Sequence, residues 1–379
     1  MKKIVSCIID FGQSHLKFIL ITGKFKVART IICKNNFKFS KKNSFFYDNV
    51  KIEKIIKSKI NILSQNFKIN SLAVISHGSA CFFKNSKNNI TNGFHFSSNF
   101  NNKKLVSKYN KLLPNFNETY TPKYKNFNNL SKNLFLINNQ NHKLEFMTMP
   151  SYITWIFTKK NIIDPSYLSC HSFLWNFKKK RMSNFLKNIS IKIPKIKNSG
   201  SFIHYDSKKI KIYNGMHDTS AAFSFHKIFF NDLNTVFLST GTTFIFGKYL
   251  KKIQSIEEKS KFYYLLATNF KGAFLSKRFQ GGLIYDRHRK INKKLADNYL
   301  ALKTIEELKN YKKFLPNKNI KLIIDGYFAQ NKKFVLKIKE YNNNITIFCA
   351  KNKFTPSLGM ASFFTNKKNL LIENFYEIY

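Results

Sequence analysis

The sequence predicts an α/β fold built from two similar halves. Three observations carry this. Apolar strand segments come first and then alternate with stretches of helical periodicity. Both halves open on the same device, a hydrophobic strand running into a small-residue turn and then a second strand: DFGQS at 10–14 and STGTT at 239–243. At 379 residues, 43% of them hydrophobic, the chain has material for about two cores.

The elements follow in order. KKIVSCIIDFG reads as a buried strand stopped by a turn, and HLKFILITG and FKVARTIIC continue it as a meander turning at Gly23. DNVKIEKIIKSKINILSQN has helical spacing, with Asp48 as its N-cap. INSLAVISHGSACFF is another strand running into a glycine, and 84–145 reads as loops and short helices. MPSYITWIFTKK is a helix with Pro150 in its first turn. After DPSYLSC the pattern predicts another helix, with FKKKR at 177–181 as its solvated face and His171 and Trp175 as packing residues. KIKIYNGMHDTSAAFSF gives a strand, a glycine turn and a helix start. The second half proceeds in the same way. It has strands in NTVFLSTGTTFIFGKYL, FYYLLATNF and GAFLSKRF, a helix over NKKLADNYLALKTIEELKNYKK, strands in IKLIIDGYFAQN and NITIFCA, and a helix opening at PSLGMASFF.

Bulk properties narrow the function classes. The formal net charge is +47, yet only five of the 66 basic residues are arginine: Arg29, Arg181, Arg278, Arg287 and Arg289. Nucleic-acid readers lean on arginine for bidentate and stacked contacts. The lysines are spread among Asn, Phe and Ile, so the charge reads as codon drift in an AT-rich genome rather than as a nucleic-acid footprint. Five scattered cysteines without a CxxC pair suggest a reduced, cytoplasmic chain. No stretch approaches the ~18 apolar residues of a membrane helix, so no membrane partner is expected.

Two turns and one carboxylate are the candidate chemistry. Gly12 and Gly241 let the backbone approach an anion, and Ser14, Ser239, Thr240, Thr242 and Thr243 supply hydroxyls. Each turn alone is more readily an ordinary hairpin turn; their matched placement points to phosphate. GTTFIFGKY at 241–249 is no Walker A loop, because one residue too many separates its glycines and Tyr249 follows Lys248. Asp218, at a helix start in NGMHDTSAAF, is either an N-cap or a general base for a substrate hydroxyl.

The ordered set DFGQSHLK, SHGSACFF, DPSYLSCHSFLWNF, GMHDTSAAF, STGTTFIF, RFQGG, DGYFAQN and SLGMASFF resembles the FGGY family of carbohydrate kinases, from Asp10 to about Phe364. SHGSACFF, LSCHSFLW and HDTSAA look most like its L-rhamnulose and L-fuculose kinase branch. The resemblance implies two ribonuclease-H-like domains of the actin and hexokinase superfamily around a central cleft, here 1–226 and 227–379. It implies ATP and Mg²⁺ as cofactors and a ketose or polyol as substrate, and it allows a homodimer. Asp10, Gly12, Gln13, Ser14 and Lys17 resemble the first phosphate motif, and Ser239, Thr240, Gly241 and Thr242 the second. Gly326 and Asn331 resemble the adenosine motif, and Gly359 the small-residue helix beside the nucleotide. Asp218 resembles the catalytic base; Asp10 and Asp218 would hold Mg²⁺ through water. His77, Gly78 and His217 lie with Asp218 where the sugar pocket is built. The chain departs from the family in three places: DGYFAQN keeps only one glycine, NGFHFSSNF has no carboxylate, and the segment between RFQGG and IDGYF is shorter than usual. A catalytically reduced nucleotide- or sugar-binding relative is therefore the alternative reading.

Overall fold

The computed structural model describes residues 2–41, 44–95, 103–123, 130–138, 144–170, 172–317, 319–367 and 370–379. Its first sheet contains β1 (Lys3–Phe11), β2 (His15–Ile21), β3 (Val27–Lys34), β4 (Phe67–Ser76) and β5 (Lys211–Tyr213), in the order β5–β4–β1–β2–β3. β1 to β3 form the expected antiparallel meander, while β4 runs parallel to β1. Met216–His217 extends the sheet alongside the end of β4. Helix α1 (Asn49–Asn66) precedes β4, α2 (Met149–Thr158) lies between β4 and β5, and α3 (Asp218–Phe229) follows His217. Asp48 caps α1 as its sequence predicts, accepting the Lys51 N–H at 3.0 Å.

The second sheet repeats this plan. It contains β6 (Thr235–Thr240), β7 (Phe244–Leu250), β8 (Ala273–Phe279), β9 (Ile320–Gly326) and β10 (Ile345–Ala350), in the order β8–β7–β6–β9–β10. Again the first strand pairs antiparallel with the second and parallel with the fourth. Helices α4 (Lys293–Lys309), α5 (Lys332–Tyr341) and α6 (Thr355–Ala361) take the chain positions of α1, α2 and α3. The repeat suggested by two short turns therefore extends through strand order and helix placement.

The halves are fastened by α3 and α6. Ala221 and Phe225 of α3 join the first core, with Ile8, Ile19 and Ala73. Phe223, from the same helix, joins the second core with Phe237 and Phe274. Leu358, Met360 and Ala361 of α6 also enter the first core, although α6 follows the second sheet in sequence. The helices cross so closely that a Cβ on Gly359 would overlap the Ala221 carbonyl oxygen. Position 226 lies within α3, a helix belonging to both cores.

One expected element takes another form. FKKKR is not a helix face: Trp175–Asn176 pairs with Arg181–Met182 as a small hairpin. The Asn176 carboxamide accepts the Lys179 N–H at 2.8 Å, and Lys180 turns the chain at φ 49°. That local bond competes successfully with helix. Trp175 is buried as expected, whereas His171 lies outside the described residues. A helix over Gly281–Arg289 begins on the two glycines of RFQGG, which the periodicity did not reveal.

The α3–α6 crossing has a direct test. Gly359→Val is expected to cost about 1–3 kcal/mol or more of stability through overpacking, whereas Gly23→Ala, with nothing within 4 Å of its added Cβ, stays within about 0.5 kcal/mol. Urea denaturation reads both, and equal stabilities for the two variants would contradict the crossing.

Candidate active site

The first half assembles its polar residues at one sheet edge. Register places Phe11 beside Ser76 and Ser76 beside His217, so Asp10, His77 and Asp218 sit where the parallel strands end. Such carboxyl ends are where open α/β sheets bind ligands. Asp10 is buried, and Lys17, its cross-strand partner, holds its Oδ2 at 2.7 Å. Burial pushes the Asp10 carboxyl up, the Lys17 charge and hydrogen bond draw it down, and the Asp218 carboxylate pushes it up again. Asp10 thus feels the Asp218 charge across a shared site. In the turn, the Gly12 N–H donates to the His15 carbonyl at 2.9 Å, while the Asn35 carboxamide donates to the Gly12 carbonyl at 2.8 Å. Gln13 and Ser14 project outward and are exposed.

Asp218 opens α3 but does not cap it, since the N-cap position belongs to His217. The Asp218 side chain is 32% exposed, which leaves it open to a ligand. Its Oδ1 accepts the Thr219 N–H at 2.6 Å and lies 3.4 Å from His217 Nε2. Burial pushes the His217 imidazole down, so it is neutral, although the Asp218 charge draws it partly back. Behind it, the His217 N–H donates to Ser166 Oγ at 2.9 Å, and that hydroxyl donates to Asp164. Burial raises the Asp164 carboxyl to about 6. Gly78 leaves room for this arrangement: a Cβ there would lie 2.6 Å from Cys170 Sγ and 3.2 Å from His217 Nε2.

His77 forms the other wall. Burial pushes it down to about 4, so its ring is neutral. Its Nδ1 faces the Gly78 carbonyl at 2.9 Å, and a carbonyl only accepts, so Nδ1 carries the proton. Nε2 then accepts from the Tyr47 hydroxyl at 2.8 Å. His95, pushed down to about 3 by burial, packs 5.3 Å from the Tyr47 ring. Tyr47, Asn35 and His95 were missed by sequence reasoning because they come from separate segments that only the fold brings together.

The second half contributes a matching edge. Thr240 and Gly326 are register partners at the ends of β6 and β9. Gly326 has φ 81°, and a Cβ there would strike the Thr240 carbonyl oxygen. Gly12 and Gly241 do not adopt left-handed backbone, so their expected conformational freedom is not what the turns use. Gly241 instead packs under Gly282, whose N–H donates to the Thr242 carbonyl at 3.1 Å. The Thr240 hydroxyl is engaged within the protein: it donates to the Asp325 carbonyl and accepts the Phe328 N–H at 3.0 Å. Ser239 is half-buried and Thr242 is exposed. Asn331 caps α5, accepting the Phe334 N–H at 3.2 Å and donating to Asp297 at 2.7 Å. Gly359 lies in the helix crossing already described.

Two links join the edges. His226 of α3 bonds Asp325 of β9 at 2.9 Å and the Tyr376 hydroxyl at 2.8 Å, all three side chains being buried. Cys170, beside Gly78 and His217, feels the charges of both Asp218 and Arg278, after burial, which raises its thiol most. Arg278 is the register partner of Ile245, two residues beyond the STGTT turn. Its rarity in this lysine-rich chain was the signal that could have singled it out.

The carboxylates fit Mg²⁺ in one mode only. No cluster of three or more metal-ligating side chains occurs among the described residues. Asp10 and Asp218 thus supply too few oxygens for a protein cage. They suit an ion that keeps several waters and takes phosphate oxygens.

Solved structures share this architecture. A ligand-bound xylulose kinase from Lactobacillus acidophilus superposes with a TM-score of 0.81 at 13% identity, covering 100% of this chain and 93% of that one. A gluconate kinase from the same organism gives 0.81 at 14% identity, covering 100% and 92%. A Plasmodium falciparum glycerol kinase with ADP gives 0.78 at 13% identity, covering 98% and 92%. The chain has the two-domain actin and hexokinase fold. No protein-family model matches the sequence, and no curated protein matches it. Among the described residues, no helix is long and apolar enough to cross a membrane.

The Asp10–Lys17 pair yields a pH prediction. Lys17→Met removes the charge that opposes burial, so Asp10 should retain its proton to higher pH than in the wild type. Carbon NMR titration of labelled aspartates reads this; an Asp10 midpoint that stays put or falls contradicts the pairing.

Proposed function

We propose that the chain is an ATP-dependent carbohydrate kinase, transferring the γ-phosphoryl group to a hydroxyl of a ketose or polyol. The observation that carries this reading is the register that brings Asp10, His77 and the part-exposed Asp218 to the ends of the first half's parallel strands, matched in the second half by Thr240 and Gly326, with Arg278 on β8. A carboxylate base and a cation from the opposite half are what phosphoryl transfer asks of a protein, which mainly positions groups and offsets charge. The likeness to xylulose, gluconate and glycerol kinases supports the class.

ATP with Mg²⁺ supplies the phosphoryl group and neutralises part of its charge when bound. Asp218 accepts the proton of the attacking hydroxyl, its carboxylate held at the head of α3 by Thr219 and neutral His217. Lys17 and Arg278 offset negative charge, and Asp10 would hold the metal through water. Gly326 provides the close backbone approach at the nucleotide edge. Lobe closure between units 1–226 and 227–379 excludes water that would otherwise hydrolyse ATP.

The acceptor wall favours a neutral polyhydroxyl compound. Tyr47, His77 and Asn35 are uncharged there, and the buried Asn35 Oδ1 has no hydrogen-bond partner among the described residues. A substrate hydroxyl satisfies such an acceptor. The motifs SHGSACFF, LSCHSFLW and HDTSAA support a rhamnulose-, fuculose- or xylulose-like ketose within that class. The catalytically reduced alternative is less favoured, because Asp10, Asp218 and Gly326, whose backbone disfavours a side chain, are all kept. The five unpaired cysteines suit a cytoplasmic setting.

Asp218→Asn is expected to lower sugar-dependent ADP release by about 10²-fold or more, while calorimetric ATP affinity is retained. A panel of ketoses and alditols supplies the substrate. Undiminished turnover in the variant would remove Asp218 as the base.

A further inference from the structure

One large cavity lies away from the strand ends. It has a volume of about 1180 Å³ and lies at the far end of the second sheet, around Tyr249 and Lys251. From Thr243 to Tyr249 the chain follows β7 for six residues, about 20 Å at the usual strand rise. The cavity is therefore separate from the STGTT turn.

Its lining comes from both halves of the chain. Tyr120, Trp175 and Phe177 precede α3, and Phe270 follows it. Trp175 and Phe270 lie 5.3 Å apart, and Tyr120 and Phe177 6.1 Å, which gives an aromatic floor. Above it stand Lys178, Lys180, Lys251, Lys252 and Lys271, all exposed. The ion pairs among the described residues involve none of the five. No described acidic residue lines the cavity.

A lysine-rich chain gives many cationic surfaces, so charge alone decides little. Lysine is about one residue in six along the chain but one in three of this lining. The neighbouring Lys227, with its ammonium 3.5 Å over the Tyr249 ring, is pushed down first by burial and then by the Lys251 charge. The cations thus repel one another where an anion would relieve them.

We propose that this cavity binds a phosphate ester carrying a ring that can lie against an aromatic face. Lysine ammoniums are flexible point charges suited to phosphate. The aromatic floor offers a stacking surface that inorganic phosphate cannot use. The volume matches a small-metabolite site rather than the extended basic stripe of a nucleic-acid groove. A nucleotide and a sugar phosphate share this chemistry. The inference stands independently of phosphoryl transfer at the other site.

Trp175 reports on the cavity directly. The chain has two tryptophans, so Trp155→Phe leaves Trp175 as the sole indole. AMP, glucose 6-phosphate, glucose and inorganic phosphate are titrated against its fluorescence. The expected result is a saturable change with AMP or glucose 6-phosphate, whichever binds identifying the source, and an affinity at least tenfold weaker in Lys251→Glu with Lys271→Glu. The milder pair Lys178→Gln with Lys252→Gln weakens it in the same direction. No saturable change with either ester, equal affinity for glucose, a response to inorganic phosphate alone, or undiminished binding in the charge-reversed variant would overturn the proposal.

Discussion

Helix α3 belongs to two hydrophobic cores at once, and the rest of the molecule is arranged around that constraint. Ala221 and Phe225 bury against the first sheet and Phe223 against the second. Gly247 is pared to a glycine so that the Phe223 ring can lie on β7, and Gly359 so that α6 can cross at the Ala221 carbonyl. A helix wedged in this way has little freedom to slide, because close-packed interiors transmit displacement. Its first residue is Asp218. The same packing that joins the halves therefore sets where the carboxylate stands relative to both strand edges. The buried His226–Asp325 bond adds a polar tie from α3 to the strand that ends at Gly326.

The electrostatics of the site follow from burial tempered by a few partners. Burial pushes the Asp10 carboxyl up, and Lys17 opposes this. His77 and His217 are neutral in the same surroundings, so the wall facing a sugar offers hydrogen bonds rather than charge. Asp and Glu together number 19 in a chain with a formal charge of +47. Against that background, a buried Asp10 whose carboxyl is raised further by the charge of Asp218 marks a site that folding alone does not require.

Much of this was legible in the sequence. Strand and helix periods gave both sheets, the meander, the capped α1 and the internal repeat, because each is a local pattern of apolar spacing and turn residues. Asp10, Lys17, His77 and Asp218 were readable as strand-end or helix-start residues, and the fold brings them to one edge. The remainder depends on contacts between distant segments. The hairpin at Trp175–Met182 is set by the Asn176 side chain, which overrides the helical look of the lysine run. Thr240 and Asn331 look like ligand donors in sequence, yet their side chains bond Asp325, Phe328, Asp297 and Phe334. Tyr47 and Asn35 carry no motif of their own and acquire meaning only beside His77 and Gly12.

Direct identification of the reaction product bears most immediately on the central claim. Phosphorus NMR of the wild-type chain with ATP, Mg²⁺ and a mixture of ketoses and alditols should show a new phosphomonoester resonance growing as ATP becomes ADP, and none when the carbohydrates are omitted. ATP left intact, or converted only to ADP and inorganic phosphate whichever carbohydrate is present, would contradict it.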